Sequence, residues 1–231
     1  LANDVTSKPY TIDVVETPSL LSFEMVLDYP GYTKKKDEIL KSTGNALVPE
    51  GTRVKWQLKT KSTDEVFLYA KDTVGFSSDK AGVFEASKRV FSNFDYTLST
   101  SNKNLKDYEN LAFSIDVVKD EYPEINLKVE KDSLDLQTLY FYGQVSDDYG
   151  FNKLQLVYYP SENEKDKLFE AIPISNSNIA EFISAFPNNL NIEEGISYEL
   201  YFQVFDNDIV NRFKSAKSNV FTYRKRTKDE E

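Results

Sequence analysis

Three observations predict an all-β chain built as two tandem immunoglobulin-like β-sandwich domains. Short apolar–polar alternations recur along the whole chain. Turn residues separate them. The two halves repeat the same landmarks, with Pro18 and Pro123 standing 105 residues apart, about the length of one such domain. A period of two points successive side chains to opposite faces, so it marks strands that bury one face. Many short strands with turn signals between them make a sandwich or a barrel.

The elements follow in order. Residues 23–27 form the first alternating run. Residues 54–58 place Val54, Trp56 and Leu58 on one face, which makes Trp56 a core anchor rather than a binding platform. Residues 66–70, 96–98 and 113–117 continue the pattern. Residues 84–91 are the best helical candidate, and they are short. In the second half the alternation returns at 125–129, 139–145, 154–158, 171–174, 198–205 and 220–223. The segment 119–122 is polar and runs into Pro123, whose ring disfavours helix at the residue before it. The predicted domains are therefore 1–118 and 119–231. The first carries a surface insertion near 29–45, where Pro30-Gly31 turns the chain and Lys34, Lys35 and Lys36 face water. A loop rich in Tyr and Lys could contact a partner, although loops also accept insertions that serve no function. The second domain ends in a short charged tail.

Composition removes several chemistries. The chain has 231 residues with no His and no Cys. It therefore has no Ser-His-Asp or Cys-His pair, no thiolate nucleophile, no disulfide and no Cys/His zinc site. Asp and Glu number 38 against 28 Lys and Arg, for a net charge of -10. An acidic surface argues against a nucleic-acid partner, which needs a basic stripe. The basic residues Arg224, Lys225, Arg226 and Lys228 precede Asp229, Glu230 and Glu231 and read as a solvated tail. The aromatics are 16 Phe, 15 Tyr and 1 Trp, ample for one or two packed cores. No apolar run approaches the roughly 20 residues of a membrane helix, and no basic-then-apolar start suggests a signal peptide. The chain opens at Leu1, so it is expected to be processed or cut from a longer protein.

The candidate site is a pair of acidic turns. Asp147-Asp148-Tyr149-Gly150 follows one alternating run, and Asp206-Asn207-Asp208 follows another. In an immunoglobulin-like sandwich the loops after the second and sixth strands lie at one end. Asp147, Asp148, Asp206, Asn207 and Asp208 should then converge, with Asp120 and Glu121 of the linker close by. Gathered hard oxygen ligands suit calcium, which would stiffen the joint between the domains. The alternative is structural: Asp and Asn end strands because their side chains bond nearby backbone N–H groups. Neither turn has the ligand spacing of a twelve-residue calcium loop. Close carboxylates could also act as general acid and base, but that needs a cleft. Tyr158-Tyr159-Pro160 could form an exposed aromatic patch for glycan or peptide, or simply end a strand. No catalytic residue and no firm cofactor follow from the sequence.

The motifs Tyr29-Pro30-Gly31-Tyr32, Val48-Pro49-Glu50-Gly51-Thr52 with Trp56, Val145 to Phe151, and Phe205-Asp206-Asn207-Asp208 carry a family resemblance. Together they resemble the middle soluble region of large membrane-anchored Bacteroidota envelope proteins of unknown function. The similarity spans nearly the whole chain. It implies a non-enzymatic structural or protein-binding segment of the bacterial cell envelope, facing the periplasm, whose parent carries N-terminal membrane helices and a long helical tail. A calcium-stiffened adhesin-like module or a carbohydrate-binding module is the alternative.

Overall fold

The computed structural model describes residues 8–131, 137–175 and 177–230. The chain divides into two compact units. One comprises residues 1–29 and 36–118, the other Pro30–Lys35 and Lys119–Glu231.

Among the described residues the first unit holds ten strands: β1 (Ser19–Asp28), β2 (Glu38–Lys41), β3 (Ala46–Pro49), β4 (Arg53–Lys61), β5 (Glu65–Tyr69), β6 (Thr73–Gly75), β7 (Ser77–Lys80), β8 (Val83–Arg89), β9 (Phe94–Ser101) and β10 (Glu109–Val118). They form two sheets, ordered β2-β1-β4-β8-β7 and β3-β10-β9-β5-β6. Only the β3–β10 pair is parallel among these pairings. The leading segment is thus split: β1 joins one sheet and β3 crosses to the other beside the last strand. That is an immunoglobulin-like arrangement. The insertion near 29–45 contributes β2, which extends the first sheet by pairing Val26 with Ile39. Residues 84–91 form no helix. Phe84 and Ala86 stand opposite Leu58 and Trp56 in the β4–β8 ladder. An eight-residue stretch cannot hold a helix against that ladder.

Register explains the core. Phe23, Met25 and Leu27 lie opposite Leu58, Trp56 and Val54, and all six are at least 95% buried. Trp56 Nε1 donates to Tyr96 Oη at 3.0 Å, and Tyr96 Oη donates to the Gly44 carbonyl at 2.7 Å. The two rings meet edge to face, with centroids 5.6 Å apart. Burial of the indole is acceptable because its one donor finds an acceptor.

The second unit holds β11 (Glu124–Lys131), β12 (Leu139–Ser146), β13 (Phe151–Pro160), β14 (Leu168–Ile172), β15 (Ile179–Phe186), β16 (Ser197–Asp206), β17 (Ser215–Lys217) and β18 (Phe221–Arg224). One sheet runs β11-β12-β15. The other runs β14-β13-β16, with β17 and β18 both pairing on the far side of β16. Three strands against four, the last one interrupted, is the fibronectin type III variant of the same sandwich. Leu139, Phe141 and Val145 of β12 face Leu154, Leu156, Leu200, Phe202 and Val204 of the other sheet within one core. Gly143 interrupts the β12 row because Phe182 needs its space: a Cβ there would lie 2.2 Å from Phe182 Cζ and 2.7 Å from Leu127 Cδ2.

Candidate functional site

The two acidic turns lie side by side because β13 and β16 are paired. The ladder sets Phe151 opposite Asp206, so the turn entering β13 abuts the turn leaving β16. Asn207 seals the junction. Its backbone N–H donates to the Gly150 carbonyl at 3.1 Å, and its Nδ2 donates to the carbonyls of Tyr149 and Tyr32 at 2.9 and 3.1 Å. Tyr32 belongs to the Pro30–Lys35 segment of this unit, and its ring meets Tyr149 edge on at 5.1 Å.

Each turn is built by its own carboxylate. Asp147 Oδ2 accepts from the backbone N–H of Tyr149 at 3.0 Å and of Gly150 at 2.7 Å. The chain then reverses at Gly150, where φ is +108°, a conformation open to glycine. Asp206 Oδ1 accepts from Asp208 N at 3.2 Å. Asp208 accepts from Val210 N, Asn211 N and Asn211 Nδ2. Its side chain is fully engaged and 0% exposed. These are Asx-type turns, the structural role open to Asp and Asn at strand ends.

A cation enters from the next segment. Lys214 Nζ bonds to the Asp120 carboxylate and, at 2.7 Å, to the Asp120 carbonyl. It lies 3.9 Å from Asp208 Oδ2 and 5.7 Å from the centre of the Tyr122 ring. The lysine side chain is 12% exposed and that of Asp120 0%. The structure therefore brings Asp120, Asp147, Asp206 and Asp208 together. Asp148 is exposed, but its charge acts on both Asp120 and Asp147. Glu121 is exposed, and among the described residues no hydrogen bond or ion pair ties it to the group.

The electrostatics are unbalanced. Burial pushes the carboxyls of Asp120, Asp206 and Asp147 above the ordinary carboxylate range, because low dielectric disfavours the charged form. Burial alone would lower the Lys214 ammonium. Its bond to Asp120 and the charges of Asp120, Asp208 and Asp206 outweigh that and raise it. Asp120 Oδ1, Asp147 Oδ1, Asp206 Oδ2 and Asn207 Oδ1 are buried without an N–H donor, and the carboxyls of Asp120 and Asp206 bond to each other when one of them holds a proton. Among the described residues, no three acidic side chains are arranged to hold a metal ion as they stand.

Sequence reasoning did not single out Lys214. The available signal was general: buried carboxylates require a counter-charge. Arg212 and Lys214 were equally placed to supply it, and only the loop geometry selects between them. The aromatic patch is not a platform, since Trp56, Tyr158 and Tyr159 are 0, 7 and 6% exposed. Tyr159 instead donates to Glu199 at 2.7 Å and sits beneath Lys167.

Fold and site define a tandem β-sandwich protein of the immunoglobulin and fibronectin type III kind. The chain is similar to solved structures of the fibronectin(III)-like modules of Clostridium thermocellum CbhA, at 14% identity over 80% of this chain and 92% of that one, with a TM-score of 0.27. It is similar to a run of titin domains at 11% identity over 89% of this chain and 68% of that one, TM-score 0.34. A cytokine receptor complex matches at 6% identity over 75% and 92%, TM-score 0.28. The assignment to this class rests on the strand topology itself. No protein-family model and no curated protein matches the chain, so the envelope-family resemblance rests on the motifs quoted above. No helix among the described residues is long and apolar enough to cross a membrane.

Proposed function

We propose that this chain is a non-enzymatic, protein-binding segment of a membrane-anchored bacterial envelope protein, facing the periplasm. The observation that carries the binding role is the β15 edge of the second unit. Edge strands present unpaired backbone groups, and proteins usually blunt them with charge. The opposite edge, β11, does so with Glu124, Lys128, Glu130 and Lys131. Among the described residues edge β15 pairs only with β12, and it exposes Ile179 and Ile183 at 61 and 71%. Ile183 lies beside Tyr142, itself 42% exposed, on the outer face. An edge whose two isoleucines flank the single charge of Glu181, with an adjacent aromatic, suits an extended segment of a partner protein, added as a further strand. The acidic turns support a non-catalytic reading, because Asp147 Oδ2 and both oxygens of Asp208 are taken up by the hydrogen bonds that build the turns.

The test is co-purification of the full-length parent from bacterial membranes, with and without Ile183→Lys and Tyr142→Ala. Loss of a specific partner by either variant, with the fold intact, supports the assignment. An unchanged partner set removes the β15 surface, and recovery of the parent only in the soluble fraction removes the envelope placement.

A further inference from the structure

One backbone bond fixes which groups of β15 face its open side. Asp147 N–H donates to the Asn178 carbonyl at 2.9 Å, in register with the β12–β15 ladder, where Ser146 faces Ile179. Hydrogen-bonded pairs alternate along an antiparallel ladder. Ala180, Phe182, Ser184 and Phe186 therefore bond to β12, and Ile179, Glu181, Ile183 and Ala185 turn their N–H and C=O groups to the open edge. Among the described residues only the Ile179 carbonyl is answered, by Ser177 Oγ. The side chains of these four point to the outer face, because they alternate with the buried Ala180, Phe182 and Phe186.

Glu181 is an unanswered charge on that face. Its cross-strand row continues with Gln144 and then Asn126, both neutral. Among the described residues no cation pairs with it. Its neighbours two positions along the strand are Ile179 and Ile183, and Ile183 faces Tyr142. A strand added to this edge sets its own side chains directly opposite these three, about 5 Å away.

We propose that the strand taken up by β15 carries a basic residue between two apolar ones at alternate positions, so that the cation meets Glu181 and the apolar residues meet Ile179 and Ile183. This rests on β15 being the partner site and names the chemistry of what it takes. An acid at the middle position would face Glu181 as a like charge, which destabilises a directly opposed pair. A slip of one residue turns the apolar side chains to the other face. A slip of two sets an apolar residue against Glu181 and the cation against an isoleucine. The pattern reads the same in both directions, so Glu181 sets the register of the partner and not its direction.

The experiment titrates the full chain with capped peptides Thr-Val-Thr-Lys-Thr-Val-Thr and the same sequence with Gln or Glu in place of Lys. Amide NMR shifts give affinity, and amide hydrogen exchange gives the place of binding. Salt at about 0.15 M screens the chain's overall negative charge beyond about 8 Å. The Lys peptide should slow exchange at Glu181, Ile183 and Ala185 and leave the β11 amides unchanged. It should bind roughly fivefold tighter than the Glu peptide, with the Gln peptide between them. Glu181→Gln should remove this preference and Glu181→Lys should reverse it. Equal binding of all three peptides at β15, or a preference that both variants leave unchanged, would overturn the charge pattern while keeping β15 as a partner site. No slowing of those amides by any peptide at millimolar concentration would overturn both.

Discussion

Replacing Tyr96 by Phe tests how the first unit holds its tryptophan. The change removes one oxygen and keeps the ring, so the edge-to-face contact with Trp56 survives. Two buried bonds are lost. Trp56 Nε1–H loses its acceptor at 3.0 Å, and the Gly44 carbonyl loses its donor at 2.7 Å. Each buried polar group left without a partner costs about 1–3 kcal/mol. Water has little room to repair them, since Trp56 is 0% and Tyr96 2% exposed. The expected loss is about 3 kcal/mol. Trp56 is the only tryptophan in the chain, so its fluorescence reports the unfolding of this unit selectively. In urea, with a slope of about 1.5 kcal/mol per molar, the midpoint should fall by about 2 M. A shift below about 0.5 M with an unchanged slope would refute the reasoning, because the hydroxyl would then contribute no more than an exposed one.

The same hydroxyl carries a pH signature. Burial holds the Tyr96 phenol protonated far above its ordinary value of 10. The unfolded chain releases that proton first, so this stability is complete below pH 10 and falls as pH rises beyond it. Tyr29, pushed up to about 12 chiefly by burial and then by its bond to Glu38, adds a smaller term of the same sign between pH 10 and 12. Alkaline urea titrations of wild type should show the decline, and Tyr96→Phe should flatten it. Gly143→Ala should destabilise the second unit by about 1–3 kcal/mol through overpacking against Phe182; Phe182→Leu in the same chain should recover part of this, as measured by tyrosine fluorescence. Lys214→Met in chelator should cost the second unit about 3 kcal/mol by stranding the Asp120 charge. Adding Asp120→Asn should return much of it, giving a clear coupling energy in a double-mutant cycle.

The strands were legible where alternation was strong. Phe23 to Leu27, Val54 to Leu58 and Leu139 to Val145 each commit one apolar face to a core. The less legible strands either lack such a face or carry apolar residues on both faces. Ser77–Lys80 is exposed throughout and exists only because β8 offers it a ladder. Ile179–Phe186 alternates on its buried face but carries isoleucines on the other, which blurs the period. Residues 84–91 are ambiguous because eight residues with mixed spacing fit either period.

The acidic turns show the same division. Sequence alone marked Asp147, Asp148, Asp206 and Asp208 as strand-end turns, since Asp and Asn at the end of an alternating run bind nearby backbone N–H groups whatever surrounds them. The absence of His and Cys likewise fixed which chemistries are closed to this chain. Tertiary structure decided the rest. The β13–β16 register set the two turns together, the reach of the Lys214 stem put an ammonium on Asp120, and burial turned ordinary carboxylates into a charge that must be answered. Counter-charge depends on distance in space, which local spacing does not encode.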